Sequence, residues 1–294
     1  MSTASKLIDD TLGFLRNYVQ DQEQSTHLVD AVDASETVWN VGQGAGVISR
    51  GRLEVEDEIV FVESFSGNTI TIAPYGRGYD GTTAAAHDVN ARLVYNPPVP
   101  RHSVLVALND TLRQVGATLD CYGVTTFTDS SNIITYALPA EAQEIIKVTY
   151  DALGSTAQWP EIRSWSINFN ANTTTWPTGK TIDLYTGPGG GRTVQVVYTK
   201  QPTVLALGDD FTDSGLPATA EEVVKLGACA RLVLSADAGK LNTNAVGAHA
   251  LNERSPAGSA VTISRYLQAL YQQALDLERR RQHNQYNAGI NWEL

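Results

Sequence analysis

Cysteine is almost missing from this chain: only Cys121 and Cys229 occur, far apart in sequence. Neither a disulfide framework nor a paired-cysteine metal site can be built from them, and a reducing compartment fits best. Long apolar runs are also absent. Nothing approaches the roughly 18 residues that a membrane-spanning helix needs, and the opening MSTASKLIDDTLGF carries acids where a signal peptide requires an unbroken apolar stretch. Positive charge is scarce. The longest basic run is Arg279-Arg280-Arg281 in a chain of net charge −11, which argues against a general nucleic-acid- or membrane-binding surface.

Chemistry-bearing motifs are incomplete wherever they begin. The segment Thr174 to Thr181 ends in Gly179-Lys180-Thr181 like a phosphate loop, but Thr174 stands where the first glycine belongs and Pro177 stiffens the loop. Gly42, Gly44 and Gly46 have the wrong spacing for a dinucleotide turn and read as a β turn or bulge. The five histidines, His27, His87, His102, His249 and His283, share no HxH or HxxxH spacing, so no metal site is expected. Asp209, Asp210 and Asp213 lack the spacing of a calcium loop and read as a solvated face. Trp159, Trp165 and Trp176 with Tyr150 and Tyr185 suit a sandwich core better than a sugar platform. No catalytic residue, cofactor site or metal site is expected, and the chain is read as a non-enzyme.

What is present is a globular composition, 42% hydrophobic and 18% charged over 294 residues, enough for about two domains. Ile8, Leu12, Leu15 and Val19 fall at helical spacing and predict a first helix within residues 1–26. Short alternating runs follow. Glu54 to Phe65 and Thr69 to Ile72 flank Ser66-Gly67-Asn68 as a hairpin inside a small β module over 27–99. The run Asn96 to Pro100 is a boundary, because consecutive prolines remove donors and fix φ. Leu105, Leu108, Leu112 and Val115, stopped by Gly116, predict a second helix over 100–117.

Residues 118–208 return to short β-branched and aromatic runs, a sandwich-type domain with a glycine turn at Gly187 to Gly191. Over 209–283, Val223, Leu226, Ala230 and Val233 predict helix three behind a capping box at Thr219 and Glu222. Leu267, Leu270, Ala274 and Leu277 predict helix four, with Ala236 to Gly258 as a long loop between. Residues 284–294 form an extended tail. The expected class is therefore α+β: a discontinuous helical bundle carrying two inserted β domains and an extended C-terminal tail.

Two stretches carry a resemblance. Arg77-Gly78-x-x-Gly81-Thr82-x-Ala84-Ala85-x-His87 resembles a recurring signature of small β modules in phage virion proteins. The later order WSINF, IDLYT, glycine turn, VQVVYTK and AEEVVKLGACARLVL, on the helix-with-β-insertions layout, resembles head-to-tail adaptor or connector proteins of tailed phages, tail-tubular proteins included. The resemblance implies a structural virion protein of the neck, made in the host cytoplasm, with about twelve copies in a ring under the portal. Its implied partners are the portal protein, a downstream tail or nozzle protein, and further copies of itself. Tyr286, Ile290, Trp292 and Leu294 would be the apolar anchors of a portal-binding tail.

In such a ring the chain's acidity acquires a use: about twelve copies would total roughly −130, so DNA would slide through the lumen without specific binding. The alternatives are another tail or baseplate component with the same β module, or a glycan-binding virion protein.

Overall fold

The computed structural model describes residues 2–16, 24–43, 50–130, 132–152, 159–241 and 259–287. Helix α1 (Ala4–Leu15) starts at Thr3, whose hydroxyl accepts the Lys6 N–H, and buries Leu7, Ile8, Thr11 and Leu15. Seven of its successors in chain order are strands or strand-like turns before the next helix. These are β1 (Gln24–His27), β2 (Val38–Asn40), β3 (Gly51–Val55), β4 (Glu58–Ser66), β5 (Thr69–Ile72), a 3-10 turn at Tyr79–Gly81, and β6 (Arg92–Tyr95).

The six strands pair antiparallel in the order β1-β6-β3-β4-β5-β2. A bridge between Leu28 and Val41 then ties one end of the sheet to the other, and the sheet curls into a partly closed barrel. Its inside is apolar, with Trp39, Leu53, Val60, Ile70 and Leu93 all fully buried. The stretch expected as one strand from Glu54 to Phe65 is two. A turn at Glu56-Asp57, with Glu56 at φ 52°, folds β3 back onto β4.

Helix α2 (Arg101–Val115) begins immediately after Pro100, where a missing N–H costs nothing. Gly116 ends it in right-handed conformation (φ −60°), so this glycine serves closeness rather than handedness; a β-carbon there would run into Pro202. Two three-stranded sheets follow, β10-β11-β8 and β7-β12-β9. The strands are β7 (Cys121–Thr128), β8 (Thr135–Ala137), β9 (Glu144–Tyr150), β10 (Trp165–Asn168), β11 (Thr181–Leu184) and β12 (Thr193–Lys200). They share one core of Tyr136, Ile145, Val148, Ile182, Val194 and Val196, drawn from both sheets, so they lie face to face as a small sandwich.

Helix α3 (Glu221–Leu241) and helix α4 (Ser259–Asn287) complete the described chain. Gly227 on α3 lets Thr111 of α2 and Tyr271 of α4 approach its backbone. A hydroxyl from α4, Ser264 Oγ, donates to Ala230 C=O at 3.2 Å.

The expected class is overturned. Twelve strands in three sheets stand beside only four helices, the chain being 30% helical, so this is a mostly β protein and not a helical bundle with β insertions. The physical reason lies in the core beneath the helices. It needs Val99, Leu119, Cys121, Leu205, Phe211 and Leu216 from loops and a strand to close, so the helices alone do not bury their faces. Short strands are also under-counted by periodicity, because three or four residues hold too few alternations to register.

Helix details shift as well. Helix α3 begins after a 3-10 turn at Ala218–Ala220, and Thr219 donates to Glu278 of α4 at 2.8 Å instead of opening a capping box. It continues to Leu241, through the first part of the expected loop. Helix α4 runs on to Asn287, so residues 284–287 are helical where an extended tail was expected.

Candidate functional site

The stretch Arg77 to His87 crosses the barrel next to the turn between β3 and β4 and folds around one side chain, Glu58. Glu58 is the first residue of β4, 1% exposed, and its two carboxylate oxygens accept from five donors. Arg77 Nε (2.8 Å) and the Gly78 N–H (2.9 Å) reach Oε1. Arg77 Nη2 (3.0 Å), the Ala85 N–H (3.0 Å) and His87 Nε2 (2.8 Å) reach Oε2. A carboxylate offers about four lone-pair sites, so this one is saturated.

Arg77 is equally committed. Its remaining donors reach three backbone carbonyls, Asp33 and Glu36 at 2.8 Å each and Ala85 at 2.6 Å. Its guanidinium also lies 4.9 Å from the centre of the Trp39 ring. His87 places Nδ1 2.8 Å from Glu56 Oε2 and pairs its backbone with Val32. The ring therefore bonds a carboxylate at each nitrogen. Trp39 meets it edge-on, centroids 6.1 Å apart, and donates its own Nε1 to Glu36 C=O.

The other motif residues supply shape. Gly78 (φ 60°) and Gly81 (φ 85°) take left-handed conformations on either side of Tyr79-Asp80, and Asp80 itself sits at φ 52°. Thr82 Oγ1 accepts the Ile59 N–H at 3.0 Å and donates to Tyr79 C=O at 2.8 Å, stitching the turn to β4. Gly76 has no room for a β-carbon, which would lie 2.7 Å from Phe61 C=O.

Electrostatics follow from this packing. Burial alone would raise the Glu58 carboxyl, but the hydrogen bonds from His87, Arg77, Ala85 and Gly78 outweigh it and hold the group down to about 2. Burial would lower His87, and its bonds to Glu58 and Glu56 instead raise it. Arg77 and His87 thus face the carboxylates of Glu58 and Glu56.

A second charged junction joins the barrel to the helices. Arg101 donates from its backbone N–H to Glu54 (2.5 Å), from Nε to Asp57 (2.8 Å), from Nη1 to Asp9 and from Nη2 to Ser5 (3.0 Å). It stands at the wall of a cleft of about 660 Å³ bounded by Glu54, Glu56, Asp57, Arg92 and Asp9. Both charged groupings serve to hold elements together, since the donors and acceptors described are spent on one another.

Glu58, Glu56 and Trp39 were not singled out from the sequence. Glu58 left a signal: it is a charge at the head of the apolar run IVFV, which demands a partner when that run enters a core. Of the proposed tail anchors, Tyr286 falls in the last turn of α4, and Ile290, Trp292 and Leu294 lie outside the described residues.

The discarded motifs have local explanations. Lys180 donates to Ala142 C=O at 2.5 Å and lies over the Phe169 ring, while Thr181 is buried at the start of β11. Gly42 gives room to the His27 ring, and Gly44 and Gly46 lie outside the described residues. Asp213 accepts from the Asp210 N–H and Asp209 from the Ala206 N–H. Among the described residues no cluster of His, Cys, Asp and Glu could hold a metal ion. Nor is any described helix long and apolar enough to cross a membrane. Trp165 and Tyr150 pack on the sandwich core, whereas Trp159 and Tyr185 are exposed, with the Tyr185 hydroxyl 2.8 Å from Ser166 Oγ.

No family model matches the chain, and no curated protein matches it.

Proposed function

We propose that this chain is a structural, non-catalytic component of a phage particle, a head-to-tail adaptor that assembles with further copies of itself around the DNA channel. The observation that carries the reading is how the motif is used. Arg77, Gly78, Gly81, Thr82 and His87, the residues on which the resemblance to virion β modules rests, are spent on locking one barrel in shape. A motif with this use marks an architectural part and leaves no free group for turnover.

A second support is the way the β units are mounted. Arg101 fastens the barrel to α1 and α2. The sandwich is fastened elsewhere: Gln282 of α4 holds the Asp120 backbone at β7, and Cys121 meets Ser214 C=O. Each copy thus offers two unlike β units, as a head-to-tail ring contact requires. In this reading the portal protein is bound through Tyr286, Ile290, Trp292 and Leu294, a downstream tail or nozzle protein sits below, and DNA passes without specific binding. The particle neck is the location.

Imaging of the purified chain mixed with its portal tests the proposal. A closed ring of about twelve copies is expected, together with loss of portal binding when His283 to Leu294 are removed. A chain that stays single and unbound in the presence of portal overturns it. A second reading, a glycan-binding virion protein, draws on the exposed rings of Trp159 and Tyr185. Retention on a host-polysaccharide array, lost in Tyr185→Ala, would favour it.

A further inference from the structure

The contacts of His87 imply more than a fixed shape. Its side chain is 1% exposed, yet both nitrogens stand 2.8 Å from carboxylate oxygens, Nδ1 from Glu56 and Nε2 from Glu58. A neutral imidazole carries one N–H and can satisfy one carboxylate; its bare nitrogen would face the other lone pair to lone pair. Only the imidazolium donates both ways. The surroundings agree on charge: Glu56 comes from the β3–β4 turn, Glu58 from β4, and Arg77, which shares Glu58, from the loop. From β2 comes the edge of Trp39, and the Asp33 carboxylate is turned away to Ser35 and the Glu36 N–H.

We propose that protonated His87 is a base-released latch that clamps the Arg77–His87 loop onto the barrel and lets go of it when the ring loses its proton to solvent. The weak side of the latch is Glu56. Its side chain is 57% exposed on a turn, whereas Glu58 is buried and keeps Arg77 after the histidine turns neutral. Release therefore starts between His87 and Glu56, and the net charge of the four groups passes from zero to −1. What the latch controls is a surface. The chain entering this loop carries Tyr75, fully exposed and held at φ 59°, and the loop carries Tyr79, its ring tilted against Phe61 with centroids 5.3 Å apart. A large aromatic in a left-handed conformation persists only where its surroundings fix it.

The sign follows from the contacts. A histidine stabilised in its charged form contributes fully at acidic pH and loses that contribution as pH rises through its raised folded pKa. The proposal does not depend on what the chain assembles with.

Nitrogen-15 imidazole spectra of the full chain across pH 5 to 10, with amide hydrogen exchange corrected for intrinsic rates, test it. His87 is expected to show two N–H groups at pH 6 and to titrate above the ordinary histidine value of 6.5. Protection of the Gly78, Ala85 and His87 amides should fall past that midpoint while Val196 in the sandwich stays protected. Glu56→Gln should move the midpoint down toward 6.5. A single N–H at pH 6, or a midpoint at or below 6.5, overturns the charged ring; unchanged loop protection above the midpoint overturns the latch. Should Glu56→Gln fail to fold, the wild-type spectra decide the matter alone.

Discussion

Glu58 concentrates more of the barrel's stability than its apolar neighbours do. A buried Val or Leu contributes about 1.5–3 kcal/mol. Removing one partner from a buried, paired charge costs about 3–5 kcal/mol, because the other charges stay buried without compensation. Glu58→Gln leaves Arg77 and His87 in that position. It should lower the stability of the barrel by that amount, read as a drop in the urea midpoint at constant slope. The acid limb is also set here. With the folded carboxyl held down to about 2 against an ordinary 4.5, the Glu58 contribution is complete above about 4.5 and fades as pH falls toward 2. The variant should lose that acid sensitivity, and an unchanged slope of stability against pH between 4.5 and 2 would contradict the assignment.

Tyr75 offers the opposite test. A left-handed conformation costs a non-glycine residue roughly 1–2 kcal/mol, of which glycine's greater freedom when unfolded takes back about 0.5–1. Tyr75→Gly should therefore raise stability by a few tenths to about 1 kcal/mol, since the side chain makes no buried contact. A loss in thermal unfolding would show that the ring supports the loop.

Among the elements, α4 shows a predicted face that holds at first and then drifts: Leu267, Leu270 and Ala274 pack on the core, and Leu277 does not. The apolar spacing placed Leu267, Leu270, Ala274 and Leu277 on one stripe. The buried face instead runs Leu267, Tyr271, Leu275, Glu278 and Gln282, and Leu277 is 60% exposed. The stripe turns because the helix leaves α3 and meets polar partners, Thr219 at Glu278 and the Asp120 backbone at Gln282. Leu267→Ala should cost about 2–5 kcal/mol. Leu277→Ala should stay within about 0.5 kcal/mol. Equal losses in denaturant titrations would refute this orientation. The turn at Glu56-Asp57 was missed for a related reason: no glycine, asparagine or proline marks it, and Glu56 takes a positive φ within contacts supplied by His87.

For the whole molecule, three separate apolar clusters replace the single helical platform that the amphipathic stretches implied. The barrel joins the helices through charged contacts at Arg101, exposed enough to be weak in salt. Calorimetry should accordingly resolve more than one transition, and Glu58→Gln should lower the one belonging to the barrel. A single transition that moves as a unit would show the clusters to be coupled.

Local pattern determined the helix over Arg101–Val115, the existence of the last helix though not its end at Asn287, the hairpin around Gly67, and the motif glycines, because periodicity and backbone handedness are properties of neighbouring residues. Tertiary structure alone decided that the protein is mostly β and that the barrel centres on Glu58. The neutralisation of the buried charge joins residues 19 to 29 positions apart, Arg77 and His87 with Glu58, and strand pairing reaches as far as Gln24 with Tyr95, so no window along the chain contains both sides of such a contact.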